Sequence, residues 1–311
     1  MDKSSIYYQQ VALLIRMLPL VAQEEAFALK GGTAINLFVR NFPRLSVDID
    51  LAYLPLDSRE QALENVKSAL GRLTENINTQ PKLNAVFQDN KDDELRIVVT
   101  SDRVTIKIEV SPVARGTLHN VELMPVVESV EDEFGYAEMP VVSLPDLYGG
   151  KLCAAMDRQH PRDLFDVKML LAEEGITRGI LIGFLTYTLS HPRPINEVMS
   201  PHWKELDASF QAEFNGMTTV PVGLDELIAT RIEMLSALKK YFTARDRDFL
   251  LSFKSGHPDW SLFDEPSVEA LPAVKWKLLN IQKLANNPIK HQQQLAKLES
   301  VLDLWAAGGS S

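Results

Sequence analysis

Two stretches of the chain hold residues whose types and spacing suit chemistry on a charged group. In the first, Leu29-Lys30-Gly31-Gly32-Thr33 is followed, fifteen residues after Thr33, by Asp48-Ile49-Asp50. Paired glycines between an apolar segment and a helical one let the backbone turn tightly and approach a ligand closely. The amides that open the next helix lack intrahelical partners and sit at the positive end of its dipole, which suits a phosphate. Thr33 adds a hydroxyl. Asp48 and Asp50, two apart on a strand, project from one face. Hard oxygen ligands held that close suit Mg²⁺, which takes a few carboxylates together with substrate phosphates and water. Glu109 supplies a third acid, on the polar face of Thr105-Ile106-Lys107-Ile108-Glu109-Val110. If that strand pairs beside the Asp48–Asp50 strand, three carboxylates converge in a set able to hold two metal ions. Taken singly, Gly-Gly is a plain turn and Glu109 a solvent-facing strand residue.

The second stretch lies further on. On a helix starting at Leu144, Lys151 and Arg158 are seven apart and share a face. A lysine is a compact point charge for a phosphate. Arg162, Asp163 and Asp166 fall in the first turn and a half of the next helix. The two aspartates either orient Lys151 or accept a proton from an attacking hydroxyl. The structural alternative is an acid pair favoured by the helix dipole beside a surface lysine. Arg44 pairs either with phosphate or with Asp48, and His160, before Pro161, is a loop residue. Trp260 and Trp276 are assigned to core packing, with stacking on unpaired bases as the alternative.

The elements that must position these residues follow from periodicity. Helical patterns cover a first segment capped by Ser4 and a second from Ser58 to about Thr74; strands are expected at 46–54, 83–88, 95–100, 104–110 and 137–142. In the 104–110 strand, Val104, Ile106 and Ile108 face one way and Thr105, Lys107 and Glu109 the other. After Ser143 the pattern is almost wholly helical, with segments at 144–158, 162–174, 177–190, 202–214, 224–243, 245–253, 272–285 and 288–305. This is an α+β chain: a mixed sheet with helices, followed by a mainly helical region. The expected domains are 1–143 and 144–311, with a second hinge near 216–222.

Composition sets the outer bounds. The 311 residues carry 32 Lys and Arg against 42 Asp and Glu, a formal charge of −10, so the chain is no basic coat for nucleic acid or lipid. The charge is uneven: residues 120–139 hold six acids and no base, whereas 272–298 hold five lysines and no acid. A contact with RNA would therefore use a local basic face, with Lys254, Lys275 and Lys277 as its candidates. The single Cys153 excludes an internal disulfide, no Cys/His cluster has zinc spacing, and no apolar run approaches ~18 residues. A cytoplasmic protein without a membrane segment is expected.

The motif Gly31-Gly32-Thr33 with Arg44-x-Ser46-x-Asp48-x-Asp50 resembles the first motif of the DNA-polymerase-β-like nucleotidyltransferase superfamily. More narrowly it resembles the AbiEii/AbiGii group of toxin nucleotidyltransferases, which includes the mycobacterial MenT toxins. Gly150-Lys151-Leu152 with Arg162-Asp163-Leu164-Phe165-Asp166 is a second match. A third is Leu251-Ser252-Phe253-Lys254 with Pro258-Asp259-Trp260 and the run from Leu271 to Lys277, so the similarity touches most of the chain. The resemblance implies transfer of a nucleoside monophosphate from an NTP, dependent on Mg²⁺ or Mn²⁺, commonly to the 3′ end of tRNA, which blocks translation. It also implies a cognate antitoxin and a place in toxin–antitoxin or phage defence. Its roles map to Asp48, Asp50 and Glu109 as metal ligands, to Gly31, Gly32, Thr33 and Ser46 around the triphosphate, and to Lys151 as a nucleotide contact. Asp163 or Asp166 falls at another required acid, and the helical domain is expected to complete the site and bind RNA. Two departures stand out: the fifteen-residue gap exceeds that of the shortest superfamily versions, and the third carboxylate is Glu rather than Asp. Transfer to a protein or small molecule, and a non-catalytic partner with the same fold, are the alternatives.

Overall fold

The computed structural model describes residues 5–91 and 94–307. Its first half holds strands β1 (Phe27–Lys30), β2 (Asp48–Tyr53), β3 (Asn84–Lys91), β4 (Glu94–Ser101), β5 (Val104–Arg115), β6 (Glu122–Pro125) and β7 (Glu138–Val141), with apolar and polar residues alternating most clearly over 95–100 and 104–110. Among the described residues they form one seven-stranded mixed sheet of order β3-β4-β5-β2-β1-β7-β6. β2 runs parallel to β5, and β7 parallel to β1; the other neighbours are antiparallel. Ile49, Ile108, Ile97, Ile106 and Val99 lie on one face and are fully buried or nearly so. Helices α1 (Ile6–Val21) and α3 (Arg59–Asn78) pack there. The opposite face carries Asp48, Asp50, Lys107, Glu109 and Arg96, all half-buried or exposed. One apolar and one polar face is the normal condition of such strands.

The remaining helices of this half are short. α2 (Gly31–Ala34) starts at the first glycine and continues as a π-helical turn over Ile35–Val39. α4 (Glu128–Phe134) is seated by the buried Val130 and by Phe134, whose ring packs on Tyr8 and Phe42 at 4.8 and 5.7 Å. Neither α4 nor β6 was expected. β6 is an edge strand with no buried residue, so it has no alternation to detect. Ser4 lies outside the described residues; Ser5 caps α1, its Oγ accepting from the Tyr7 amide.

The second half is helical: α5 (Leu144–Asp157), α6 (Pro161–Ala172), α7 (Arg178–Ser190), α8 (Ile195–Met199), α9 (Asp207–Glu213), α10 (Leu224–Tyr241), α11 (Ala244–Ser255), α12 (Pro272–Ala285) and α13 (Pro288–Ala307). α5 and α7 meet backbone to backbone at Gly149 and Gly183, where an added Cβ on Gly149 would stand 2.4 Å from the Gly183 carbonyl carbon. The helix expected over 202–214 is shorter than its pattern. Gln159 ties down 202–204 instead, its Nε2 donating to the His202 carbonyl and its Oε1 accepting from the Lys204 amide, both at 2.8 Å. Arg231 takes the Lys204 carbonyl at 2.7 Å, so these backbone groups are satisfied without helical bonds. Trp305 closes the core, stacked on Phe184 and donating to the Met199 carbonyl.

Backbone contacts divide the chain into two units, Met1–Ser143 with Gly216–Pro221, and Leu144–Asn215 with Val222–Ser311. The 216–221 segment belongs with the sheet: Thr218 bridges Arg44, and the Leu45 amide donates to the Met217 carbonyl at 2.9 Å. Among the described residues no helix is long and apolar enough to cross a membrane.

Candidate active site

The register of the central strands assembles the first group. Asp50 on β2 lies directly opposite Glu109 on β5, and Asp48 is opposite Lys107. Because alternate residues share a face, Asp48, Asp50 and Glu109 stand together on the polar side of the sheet. The row extends both ways, with Lys30 opposite Asp50 and Arg96 opposite Glu109. Arg96 donates to Gln88 Oε1 at 2.8 Å, which holds its guanidinium 3.8 Å from the Glu109 carboxylate. Burial pushes the Glu109 carboxyl above its ordinary value, and the charges of Asp50 and Asp48 add to this; Lys107 and Arg96 oppose it. Repulsion among carboxylates that share one patch is the mark of a place suited to a cation.

The glycine turn is fitted to these acids. Gly31 has φ of +72°, the region that favours glycine, and an added Cβ would stand 2.4 Å from Asp50 Oδ2. A Cβ on Gly32 would stand 2.6 Å from the Arg44 guanidinium and 3.1 Å from Ser46 Oγ. Thr33, fully buried, donates from Oγ1 to the Asp48 carbonyl at 2.5 Å and lies 2.9 Å from Ser46 Oγ. Thr33 and Ser46 thus fasten the start of β2 to the turn from inside. Arg44 is buried as well, donating to the Leu45 carbonyl at 2.8 Å.

In the second unit Lys151 is 5 % exposed, and its ammonium lies 3.0 Å from Asp163 Oδ1 and 2.9 Å from Asp166 Oδ2. Arg158 closes on Asp163 with two hydrogen bonds, at 2.6 and 2.9 Å. Burial alone would push the Asp163 carboxyl up; the Lys151 and Arg158 charges outweigh it and hold the group well below the usual carboxylate range. The start of α6 sets this geometry. His160 caps it, Nδ1 accepting from the Arg162 amide, and Pro161 takes the first helical position.

The family model described as "Nucleotidyl transferase AbiEii toxin, Type IV TA system" matches residues 12–280. The chain belongs to the AbiEii family. It is therefore a nucleotidyltransferase of a toxin family, with an NTP as substrate and an antitoxin as partner. Among solved structures this AbiEii chain resembles the nucleotidyltransferase toxin MenT4 from Mycobacterium tuberculosis H37Rv, with a TM-score of 0.61 and 16% identity over 90% of this chain and 95% of that one. At that identity the likeness speaks for the fold, which is α+β as expected. No curated protein matches the sequence.

Not every candidate residue stands where an AbiEii chain could use it as expected. Lys254 is 5 % exposed, and Lys277 donates its ammonium to the His191 and Arg193 carbonyls, so neither presents a cationic surface. Lys275 alone of the three is exposed. Trp260 packs on Phe249 and Phe253 as expected, whereas Trp276 is 57% exposed with the Lys283 ammonium 5.5 Å from its ring, because it lies on the outer face of α12. The flanking cations Lys30, Lys107 and Arg96 were not singled out in the sequence. Only strand register brings them to the acids, although the Lys-x-Glu spacing of Lys107 and Glu109 was visible.

A divalent cation is tested by the donor set itself. Among the described residues no three His, Cys, Asp or Glu side chains close into a ready-made cage. Asp48, Asp50 and Glu109 instead line one open face. That fits a hard cation held by one or two carboxylates and completed by phosphate oxygens, as Mg²⁺ is commonly bound.

Proposed function

We propose that this AbiEii chain transfers a nucleoside monophosphate from an NTP to RNA, at the 3′ end of tRNA, with Mg²⁺ or Mn²⁺ as cofactor, so that translation stops. The observation that carries this reading is the pairing of Asp50 with Glu109, with Asp48 on the same face, directly against the Gly31-Gly32 turn. Asp48 and Asp50, with Glu109 beside them, would hold the cation. When bound, it supplies positive charge to the phosphates and lowers the pKa of an attacking hydroxyl.

The chain's own residues do the rest. The Gly31-Gly32 turn leaves its first helical amides beside the acids, where the triphosphate is to lie. Thr33 and Ser46 keep Asp48 in position through its backbone. The acceptor 3′-hydroxyl attacks the α-phosphorus in line and pyrophosphate leaves; charge that develops on it is met by cationic side chains. Lys151, ion-paired with Asp163 and Asp166, is assigned to that task by the motif it belongs to, and the two aspartates are its orienting groups. Such a toxin, paired with an antitoxin, serves in phage defence.

The test is to incubate the purified chain with total tRNA and each α-³²P-NTP in turn. Label on tRNA is expected with at least one NTP, and none with Asp48→Ala. Label on protein or on a small molecule, with tRNA unlabelled, would replace the acceptor. Undetectable transfer to anything, with growth arrest unchanged by Asp48→Ala, would show a non-catalytic partner.

A further inference from the structure

Strand register carries one row of polar residues across five strands. Gln88 on β3 lies opposite Arg96 on β4, and Arg96 opposite Glu109 on β5. Glu109 is opposite Asp50 on β2, and Asp50 opposite Lys30 on β1. All five are half-buried. Neighbouring strands stand about 4.8 Å apart, so Arg96 sits two such spacings from Asp50, on the side away from β1. The two flanks of the acids therefore differ. On the β1 side the Gly31-Gly32 turn closes against Asp50, and its helical amides are the proposed seat of the triphosphate. On the β4 side stands a guanidinium.

Arg96 is held in place without being used up. Its Nε donates to Gln88 Oε1 at 2.8 Å, which fixes the guanidinium. Nη1 stands 3.8 Å from Glu109 Oε1, near enough for charge to matter and too far for a hydrogen bond. The four N–H donors on Nη1 and Nη2 thus have no hydrogen-bond partner among the described residues. The side chain is 35% exposed. A planar fork of free donors in that state matches the paired oxygens of a phosphate.

In-line transfer supplies the direction. The attacking oxygen and the departing pyrophosphate lie on opposite sides of the α-phosphorus. With pyrophosphate on the glycine-turn side of the acids, the acceptor's 3′ end comes to the side of Glu109 and Arg96. The anionic group nearest a 3′-hydroxyl is the phosphodiester that joins the last nucleotide to the one before it.

We propose that Arg96, steadied by Gln88, binds the last phosphodiester of the acceptor strand and so favours a nucleic acid over an uncharged acceptor. This rests on RNA being the acceptor, and it puts the acceptor on the β4 side of the acids and the nucleotide on the β1 side.

The experiment has a kinetic and a binding arm. With tRNA as acceptor, Arg96→Gln should raise the KM for tRNA about tenfold, the weight of one charge-assisted contact, and leave kcat and the KM for NTP unchanged. Arg96→Lys keeps the charge without the fork and should fall between the two. Binding is followed by fluorescence anisotropy, in chelator and without NTP. It uses a short RNA copied from the tRNA 3′ end, whose last linkage is either a phosphodiester or an uncharged methylphosphonate. The wild type should bind the methylphosphonate about tenfold more weakly, a comparison that needs no variant. Arg96→Gln should bind both RNAs alike, because the contact is already gone.

A merely structural role beside Glu109 would lower kcat and spare the KM for tRNA, and that result would overturn the proposal. So would a wild type that does not distinguish the two RNAs, or losses that add in Arg96→Gln. Should the wild type label no RNA at all, the acceptor reading falls, and the anisotropy arm still decides Arg96: binding indifferent to Arg96→Gln overturns it.

Discussion

Asp50 is the residue on which the first group turns, because it touches both sides of it: Gly31 beneath and Glu109 across the strand pair. Asp50→Asn keeps the shape and removes one charge. Transfer should fall by on the order of 10²–10³-fold, while the melting temperature without metal rises or stays unchanged. Glu109 carries a pH prediction. Its folded carboxyl is raised above the ordinary value, so the folded state binds the proton more tightly than the unfolded chain. Stability is then lost as pH rises from the usual carboxylate value through the raised one. Glu109→Gln should abolish that loss, seen as a flatter plot of melting temperature against pH in chelator. Addition of Mg²⁺ should restore the wild-type protein above that window and leave Glu109→Gln little changed.

At the scale of elements, the Gly31 turn and the α5–α6 pair bear the strain and the buried charge. Gly31→Ala meets both a positive φ and the Asp50 carboxylate, so it should cost about 1–3 kcal/mol and displace Asp50, with transfer falling further than stability alone explains. Denaturant midpoints set beside initial rates check this. On α5, Lys151→Met leaves Asp163 and Asp166 buried without their shared cation, an expected loss of about 3–5 kcal/mol. Loss of activity in that variant is therefore informative only after its folding has been measured by circular dichroism. Asp163, held low in the folded state, adds stability that is fully present above its unfolded value and is lost progressively as pH falls from there through the depressed folded value, well below the usual carboxylate range.

For the whole molecule the governing fact is a charge of −10 carried by a chain whose proposed acceptor is a polyanion. Contact with tRNA must then rest on a few local cations, among them the exposed Lys275 and the Trp276–Lys283 pair. The KM for tRNA should rise steeply between low and moderate salt, and Lys275→Glu should raise it and flatten that slope. Transfer rates over a salt series for wild type and variant decide this. Nucleotide with Mg²⁺ should also stabilise the folded chain, by about 2.7 kcal/mol at one hundred times the dissociation constant, and Asp50→Asn should lose that gain.

The α+β order of elements, the alternation in 104–110 and the coupling of Gly31-Gly32 to Asp48 and Asp50 were legible in the amino-acid sequence. Each is written in neighbours along the chain, as a period of two, a period near 3.6, or a turn residue at a fixed place. What sits opposite what was decided only in three dimensions. Glu109 meets Asp50 because β5 pairs in parallel with β2 across more than fifty residues, and Arg96 joins them because β4 hairpins back onto β5. The lysine-rich 272–298 run looks uniformly cationic as a string, yet helix geometry turns Lys275 outward and sends Lys277 to the end of α7. Sequence spacing sets the face a residue occupies; the packing around that face decides whether its charge meets water, a backbone carbonyl or another charge.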